Sequence, residues 1–236
     1  MKILSIDSSG LVASVAIMED ETMIAEYTVN NKMTHSQTLL PMIDEIFSLT
    51  QTDKESLDAI AIAAGPGSFT GLRIGAATAK GLGLALDIPI IRVPTVDALA
   101  YNITGFEGLV CPMMDARRDQ VYTALYSFGS GKLITHIEGE AVSVDEMIDR
   151  INSLGKEVIF LGDGADAYKQ IIESRVTVPY SLAPAHLNRQ NAASVAVLGS
   201  VLYAEGKTVN ADDHSPTYLR VSQAEREGAK NFDLRK

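Results

Sequence analysis

The chain has 236 residues, 46% hydrophobic and 21% charged, which is typical of a globular protein with a substantial core. Its net charge is −10, and it has no cluster of Lys and Arg with which a protein grips nucleic acid by itself. No apolar run reaches the ~18 residues that would span a membrane. The single cysteine, Cys111, excludes an internal disulfide, so we expect a cytoplasmic protein.

The first part of the chain predicts an α/β sheet of mixed direction, because three strands are followed by alternating helices and strands. Pro41 falls inside the first helical pattern, so this helix either begins near Pro41 or kinks there. The predicted elements, in order, are strands 2–7, 11–18 and 22–29, helix 35–50, strand 59–64, helix 70–86, strand 88–93 and helix 95–101.

The second part predicts a smaller unit of the same class. Gly105 to Gly108 marks a break between residues 1–104 and 105–236, and Ser143 is a predicted helix cap. We expect the last helix to pack back at the interface between the two lobes. The predicted elements are strands 109–114 and 120–128, helix 143–153, strand 158–161 with a following Gly-Asp-Gly-Ala turn, and helix 191–204.

A glycine-rich loop between strand 59–64 and helix 70–86 is the most informative motif. Gly65 and Gly67 permit positive φ and close approach of backbone, and Ser68 or Thr70 can cap the helix. Such a loop can receive an anion. It is not a Walker loop, because Leu72 and Arg73 stand where Lys and Ser or Thr are required.

Small residues recur every four positions along the helix that follows this loop. Gly71, Gly75, Ala79 and Gly83 lie on one face, and each interior glycine costs roughly 1 kcal/mol relative to alanine. The stripe therefore predicts close packing. The partner is either this chain's own core or another subunit, and the pattern favours neither.

Motifs that run in order along nearly the whole chain resemble the TsaB family, also called YeaZ. The long glycine motif and the His-Ser motif that opens the first helix are the specific ones. The resemblance rests on Ile6-Asp7-Ser8-Ser9, His35-Ser36-Gln37-Thr38-Leu39-Leu40-Pro41, Gly65 through Gly75 with Ala79-Lys80-Gly81, Met114-Asp115-Ala116-Arg117-Arg118 with Val121-Tyr122, Gly162-Asp163-Gly164-Ala165 and Pro216-Thr217-Tyr218-Leu219-Arg220.

The resemblance implies the two-lobed α/β fold of actin-like ATPases (ASKHA, ribonuclease H-like), with lobes of related topology. It implies a small subunit of the bacterial machinery that makes N6-threonylcarbamoyladenosine at position 37 of tRNA. The implied partners are the catalytic subunit TsaD, in a heterodimer, and the ATPase TsaE, while a separate enzyme makes the threonylcarbamoyl-adenylate. A homodimer is also possible, and tRNA would be bound only through the complex.

The resemblance does not imply catalysis by this chain. TsaD-like enzymes hold a metal with two histidines one helical turn apart, whereas here His35 is followed four residues later by Leu39. In actin-like proteins a close-approach glycine follows the Asp after the first strand, whereas here Ser8 follows Asp7. Asp115, Arg117 and Arg118 fit a tight turn with solvated charges. We therefore predict no catalytic, metal or cofactor-binding residue.

The family's habit of pairing through its first-lobe helices, together with the small-residue stripe, predicts that helices 35–50 and 70–86 bind a partner. The alternative is an enzyme of the same fold, an ATPase or kinase that uses the glycine loop, or a metal-dependent hydrolase. The residues predicted at the partner interface are His35, Leu39, Ile43, Gly71, Gly75, Ala79 and Gly83.

Overall fold

A computed structural model describes residues 1–31 and 33–219, so Arg220 of the last motif lies outside the described residues. The first lobe is built on a five-stranded sheet in the order β3-β2-β1-β4-β5, in which β1 is antiparallel to β2 and parallel to β4. Its elements are β1 (Lys2–Asp7), β2 (Ala13–Glu19), β3 (Thr22–Val29), α1 (His35–Thr50), β4 (Ala59–Gly65), α2 (Phe69–Leu86), β5 (Ile90–Pro94) and α3 (Thr95–Tyr101).

The second lobe repeats this topology. Its sheet has the order β10-β9-β6-β7-β8, and β6 is antiparallel to β7 and parallel to β9, as β1 is to β2 and β4. The fold prediction, two lobes of related α/β topology, is confirmed. The remaining elements are β6 (Leu109–Asp115), β7 (Gln120–Gly129), β8 (Lys132–Ser143), α4 (Val144–Leu154), β9 (Val158–Leu161), α5 (Asp163–Ala167), α6 (Lys169–Arg175), β10 (Tyr180–Leu182) and α7 (Ala192–Ala204).

Helices cover both faces of the first sheet. On one face, α1 buries Leu39, Met42, Ile43, Ile46 and Phe47, the 3–4 residue spacing of an amphipathic helix, and α2 packs beside it. On the other face lies α7, which is apolar on all sides. The helix α1 runs through its internal proline without a break.

The chain passes from the first sheet to the second between α3 and β6. The helix α7 then returns to pack on the strands of the first sheet and on α3. The first lobe is therefore built from both ends of the described chain. In the described residues, no helix is long and apolar enough to cross a membrane.

Four elements of the second lobe were not predicted: β8, α5, α6 and β10. The strand β10 has three residues and α5 has five, too few to show a period. The strand β8 is an edge strand with irregular pairing to β7 and mostly exposed or half-buried side chains. Its sequence therefore lacks the apolar alternation by which half-buried strands are recognised.

Candidate functional site: inter-lobe cleft and first-lobe helix pair

The turn after β1 is closed by Asp7. Its Oδ1 accepts hydrogen bonds from the backbone N–H of Ser9 at 2.9 Å and from the Ser9 hydroxyl at 2.6 Å. The carboxyl group is fully buried, and burial raises its pKa to about 6, against the opposing effects of the Ser9 hydrogen bonds and of His35. Asp7 therefore acts as a turn former, with its bonding capacity directed at its own loop.

The glycine-rich loop packs against this turn. Ser68 caps α2 as predicted, its Oγ accepting from Gly71 N at 3.3 Å, and its own N–H donates to the carbonyl of Ser9 at 2.6 Å. A Cβ added at Gly67 would collide with the Ser9 carbonyl, and one at Gly71 with the Ser8 carbonyl. In a phosphate-binding loop, the space beside such glycines is left open for a phosphate. Here the protein's own backbone occupies the space beside Gly67 and Gly71.

The other side of the glycine loop is occupied by residues 214–219, which we call the strap. The Thr217 N–H donates to the carbonyl of Ala64 at 2.7 Å, and the Arg92 guanidinium donates to Thr217 Oγ1 at 2.8 Å. Gly65, at φ +122°, has no room for a Cβ because the Thr217 carbonyl fills that space. The strap thus packs on the end of β4 through backbone contacts that only a glycine at position 65 permits.

A cavity of about 540 Å³ remains between the two lobes at this edge of the sheets. The second lobe contributes Asp115, whose Oδ1 accepts from the Arg117 N–H at 2.7 Å and the Tyr168 hydroxyl at 3.0 Å. Asp163 Oδ1 accepts from the Asp115 N–H at 3.2 Å, and burial raises the pKa of Asp163. The carboxylates of Asp115 and Asp163 thus hold the turn after β6, in line with the predicted role of Asp115 as a turn former.

His35, which corresponds to one histidine of the two-histidine metal site in TsaD-like enzymes, is used in packing in this chain. His35 Nε2 lies 2.8 Å from the carbonyl of Gly10 and therefore donates to it, which ties the start of α1 to the turn after β1. Leu39, where a second histidine would stand, is 1% exposed and belongs to the core between α1 and the sheet. Among the described residues, no group of three or more His, Cys, Asp or Glu side chains is placed to hold a metal ion.

The small-residue stripe of α2 faces this chain's own interior, the first of the two alternatives. A Cβ at Gly71 or Gly75 would collide with Ser8, and one at Gly83 would press on the Cβ of Ala211. Ala79 is fully buried in the core. The assignment of these residues to a partner interface remains a prediction, and the helix faces on which they lie pack within this chain. The seven residues concerned, half-buried His35 and the buried Leu39, Ile43, Gly71, Gly75, Ala79 and Gly83, contribute to packing within the chain.

The opposite faces of α1 and α2 are exposed and include several large apolar side chains. On α1, Leu40 is 56% and Leu49 73% exposed, and on α2, Leu84 is 53% exposed. Ala77 and Gly81 are also exposed, and a Cβ placed at Gly81 would have no atom within 4 Å among the described residues beyond its own helix turn. The 18 residues of α2 contain only two charged side chains, Arg73 and Lys80. We call these exposed faces of α1 and α2 the helix-pair surface.

The equivalent helices of the second lobe are covered with ion pairs. Arg150 of α4 bridges to Glu140 and Glu146, and Arg175 of α6 bridges to Asp145 and Asp149. Such pairs are typical of a solvated helix face. The helix-pair surface of the first lobe carries fewer such pairs, although it belongs to the same topology. On α1, Asp44 pairs with Lys54, whereas on α2 neither Arg73 nor Lys80 forms an ion pair among the described residues.

Comparison with known proteins identifies relatives of this chain. The family model described as "TsaD: tRNA N6-adenosine threonylcarbamoyltransferase" matches residues 22–227. The chain is 35% identical to the tRNA threonylcarbamoyladenosine biosynthesis protein TsaB of Bacillus subtilis, over 95% of this chain and 96% of that protein. It is 32% identical to the protein of the same name from Escherichia coli, with the same coverage.

Solved structures agree with the sequence relatives. YeaZ from Pseudomonas aeruginosa matches with a TM-score of 0.79 and 27% identity, over 92% of this chain and 99% of that chain. The ethanolamine utilization protein EutJ of Carboxydothermus hydrogenoformans, with a TM-score of 0.52 and 10% identity over 84% of this chain and 89% of that chain, shares the fold alone. This chain therefore belongs to the TsaB (YeaZ) family of tRNA threonylcarbamoyladenosine biosynthesis proteins.

Proposed function

We propose that this chain is a non-catalytic subunit that binds TsaD and supports transfer of the threonylcarbamoyl group to adenosine 37 of tRNA. The observation that carries the proposal is the helix-pair surface, in which exposed leucines of both helices lie beside the largely apolar exposed face of α2. An exposed apolar patch of this kind marks an interaction site in a globular protein. The ion-paired helices α4 and α6 are the internal comparison.

The loops at the cleft support the non-catalytic part of the proposal. The Ser68 N–H and the space beside Gly67 and Gly71 are taken up by the turn after β1, and the space beside Gly65 is taken up by the strap. A nucleotide-binding loop needs those groups for phosphate oxygens. The partner subunit would therefore supply the catalytic groups.

The interface is tested by Gly81→Arg. Arginine at this position has open space and is a better helix former than glycine, so the variant keeps or slightly gains stability. A large charged side chain in the middle of the helix-pair surface would nevertheless weaken binding to TsaD from the same organism by about 100-fold or more. Isothermal titration calorimetry measures the affinity, and thermal unfolding measures the stability.

The matched control is Gln170→Arg, which adds the same side chain to the exposed face of α6 in the second lobe. Its affinity for TsaD should stay within about twofold of the original chain. Unchanged binding by the Gly81→Arg variant would refute the helix-pair assignment. No binding of the unaltered chain to TsaD would refute the proposed function itself.

We propose further that TsaE joins the complex and that tRNA is held mainly by TsaD. With a net charge of −10, the chain offers little for release of counterions from the phosphates, the main source of nucleic-acid affinity. A gel-shift titration with unmodified tRNA at near-physiological salt should give no submicromolar complex with this chain alone. A submicromolar complex without TsaD would place RNA binding in this chain.

A further inference from the structure

A stacked cluster lies where the strap meets the helix-pair surface. The ring of Tyr218 stacks on that of Phe69 with centroids 4.8 Å apart, and the Arg73 guanidinium lies 3.9 Å above the same Phe69 ring. The Arg73 Nε–H also donates to the Tyr218 hydroxyl at 3.3 Å. The strap therefore fixes the orientation of an exposed arginine on α2.

Arg73 lies on the exposed line of α2 that continues through Ala77 and Gly81, one helical turn apart each. The cluster is thus continuous with the helix-pair surface. Tyr218 and Leu219 are 40% and 41% exposed beside it. Tyrosine and arginine are the residues most enriched where binding energy concentrates in protein interfaces.

Arg73 has no carboxylate partner among the described residues, unlike Arg150, Arg175 and Arg189, which all form ion pairs. Its Nε is used by Tyr218, and the terminal nitrogens make no hydrogen bond in the described part of the chain. A planar guanidinium held in one orientation is suited to bidentate pairing with a carboxylate.

We infer that the strap forms one edge of the partner-binding surface and holds Arg73 to receive a carboxylate of the TsaD subunit. This inference rests on the proposed function, because it assumes that TsaD covers the helix-pair surface. Arg73 makes the contact, whereas Phe69 and Tyr218 are positioning residues. The strap thereby becomes part of the interface as well as the cover of the glycine loop.

The test measures the affinity of full-length variants for TsaD from the same organism at low and at high salt. Arg73→Glu should weaken binding at least about tenfold at low salt, and less at high salt, since a charge pair is screened. Arg73→Gln should fall between Arg73→Glu and the unaltered chain. The control is Lys156→Glu, which reverses an exposed charge without an ion pair in the second lobe, and its affinity should stay within about twofold.

Variants of the strap separate positioning from direct contact. Tyr218→Ala should weaken binding about fivefold or more, whereas Tyr218→Phe, which keeps the stacked ring, should retain most of the affinity. The matched control is Tyr180→Ala, because Tyr180 is 36% exposed and packs on Phe160 in the second lobe. Its affinity should not change, and thermal unfolding checks that each variant is folded.

Each outcome decides between the two proposals. If Gly81→Arg abolishes binding but Arg73→Glu and Tyr218→Ala bind normally, the inference about the strap is wrong and the proposed function stands. If Arg73→Glu weakens binding equally at low and high salt, no carboxylate pairs with Arg73. If Arg73→Glu no longer affects binding in a chain ending at Leu219, Arg73 acts through residues 220–236 of this chain, which also overturns the inference.

Discussion

The two lobes share one strand order, and the loops at the same edge of their sheets are nevertheless constructed in opposite ways. Asp7 ends β1 and Asp115 ends β6, and each accepts a hydrogen bond from the N–H two residues later. Asp7 is buried beneath the glycine loop, whereas Asp115 is exposed. In the first lobe, the backbone of the glycine loop packs directly against the backbone of the turn after β1. No open space remains between these two segments.

The helices differ in the same sense. In the first lobe the loop after β4 leads into the 18-residue helix α2, while in the second lobe the loop after β9 leads into the five-residue helix α5. Ion pairs cover α4 and α6, whereas the exposed face of α2 is largely apolar and α1 forms one ion pair among the described residues, between Asp44 and Lys54. The comparison teaches that one topology can carry a largely apolar exposed helix face in one copy and ion-paired helices in the other.

The largest expected effect tests the closed first-lobe loop. Gly71→Leu should destabilise the protein by about 3 kcal/mol or more, because its side chain would occupy the place of the Ser8 backbone, which cannot move without breaking the turn after β1. Gly81→Leu on the same helix has open space and should be neutral or stabilising by up to about 1 kcal/mol. Urea unfolding measures both. Equal stabilities would show that the loop is not tightly packed.

The buried carboxyl group of Asp7 predicts that the stability of the first-lobe turn depends on pH. The pKa of Asp7 is raised from 3.8 to about 6, so the folded state binds the proton more tightly than the unfolded state does. This contribution stabilises the fold at low pH and is lost as the pH rises from about 4 to 6. Asp7→Asn should therefore be about 2 kcal/mol more stable at pH 7. Exposed Asp115→Asn is the control, with a change below about 0.5 kcal/mol.

His214, the first residue of the strap, should change the stability with pH in the opposite direction to Asp7. Burial, Arg92 and Lys80 lower its pKa from 6.5 to about 4, so the unfolded state binds the proton more tightly. Its contribution to stability is therefore lost as the pH falls through that range. In His214→Gln this loss is absent, so the slope of the free energy of unfolding against pH between pH 4 and 6 should be less positive than in the unaltered chain. An unchanged slope would contradict the burial of a neutral imidazole.

The smallest effect is expected in the second lobe. Arg150→Gln removes ion pairs to Glu140 and Glu146 on a face that is 38% exposed at the arginine. Exposed ion pairs contribute little, so the loss of stability should be the smallest of the series and should shrink further at high salt. Chemical unfolding at two salt concentrations measures it. A loss as large as that of Gly71→Leu would mean that these pairs, too, belong to a tightly packed surface.

The family and the order of the main elements were readable from the sequence because both are local properties. Helix α1 shows its period in Leu39, Ile43 and Ile46, and the cap of α2 is announced by Ser68. The strands β1 to β5 were placed to within two residues at each end, because β1, β2, β4 and β5 are short apolar runs and β3 follows a charged turn. The edge strands and the short helices of the second lobe were missed for lack of such periods.

Which face of a helix meets which neighbour was decided only by the tertiary structure. A stripe of glycines at every fourth position requires a close neighbour, but the sequence does not say whether that neighbour is Ser8 of the same chain or another subunit. The strap makes the same point, because Thr217 lies 152 residues from Gly65 along the chain yet fills the space beside it. The sequence by itself determined the family, the apolar periods of the main helices and the helix caps. Which surface stays exposed was decided by contacts between distant segments, because these depend on how the whole chain packs.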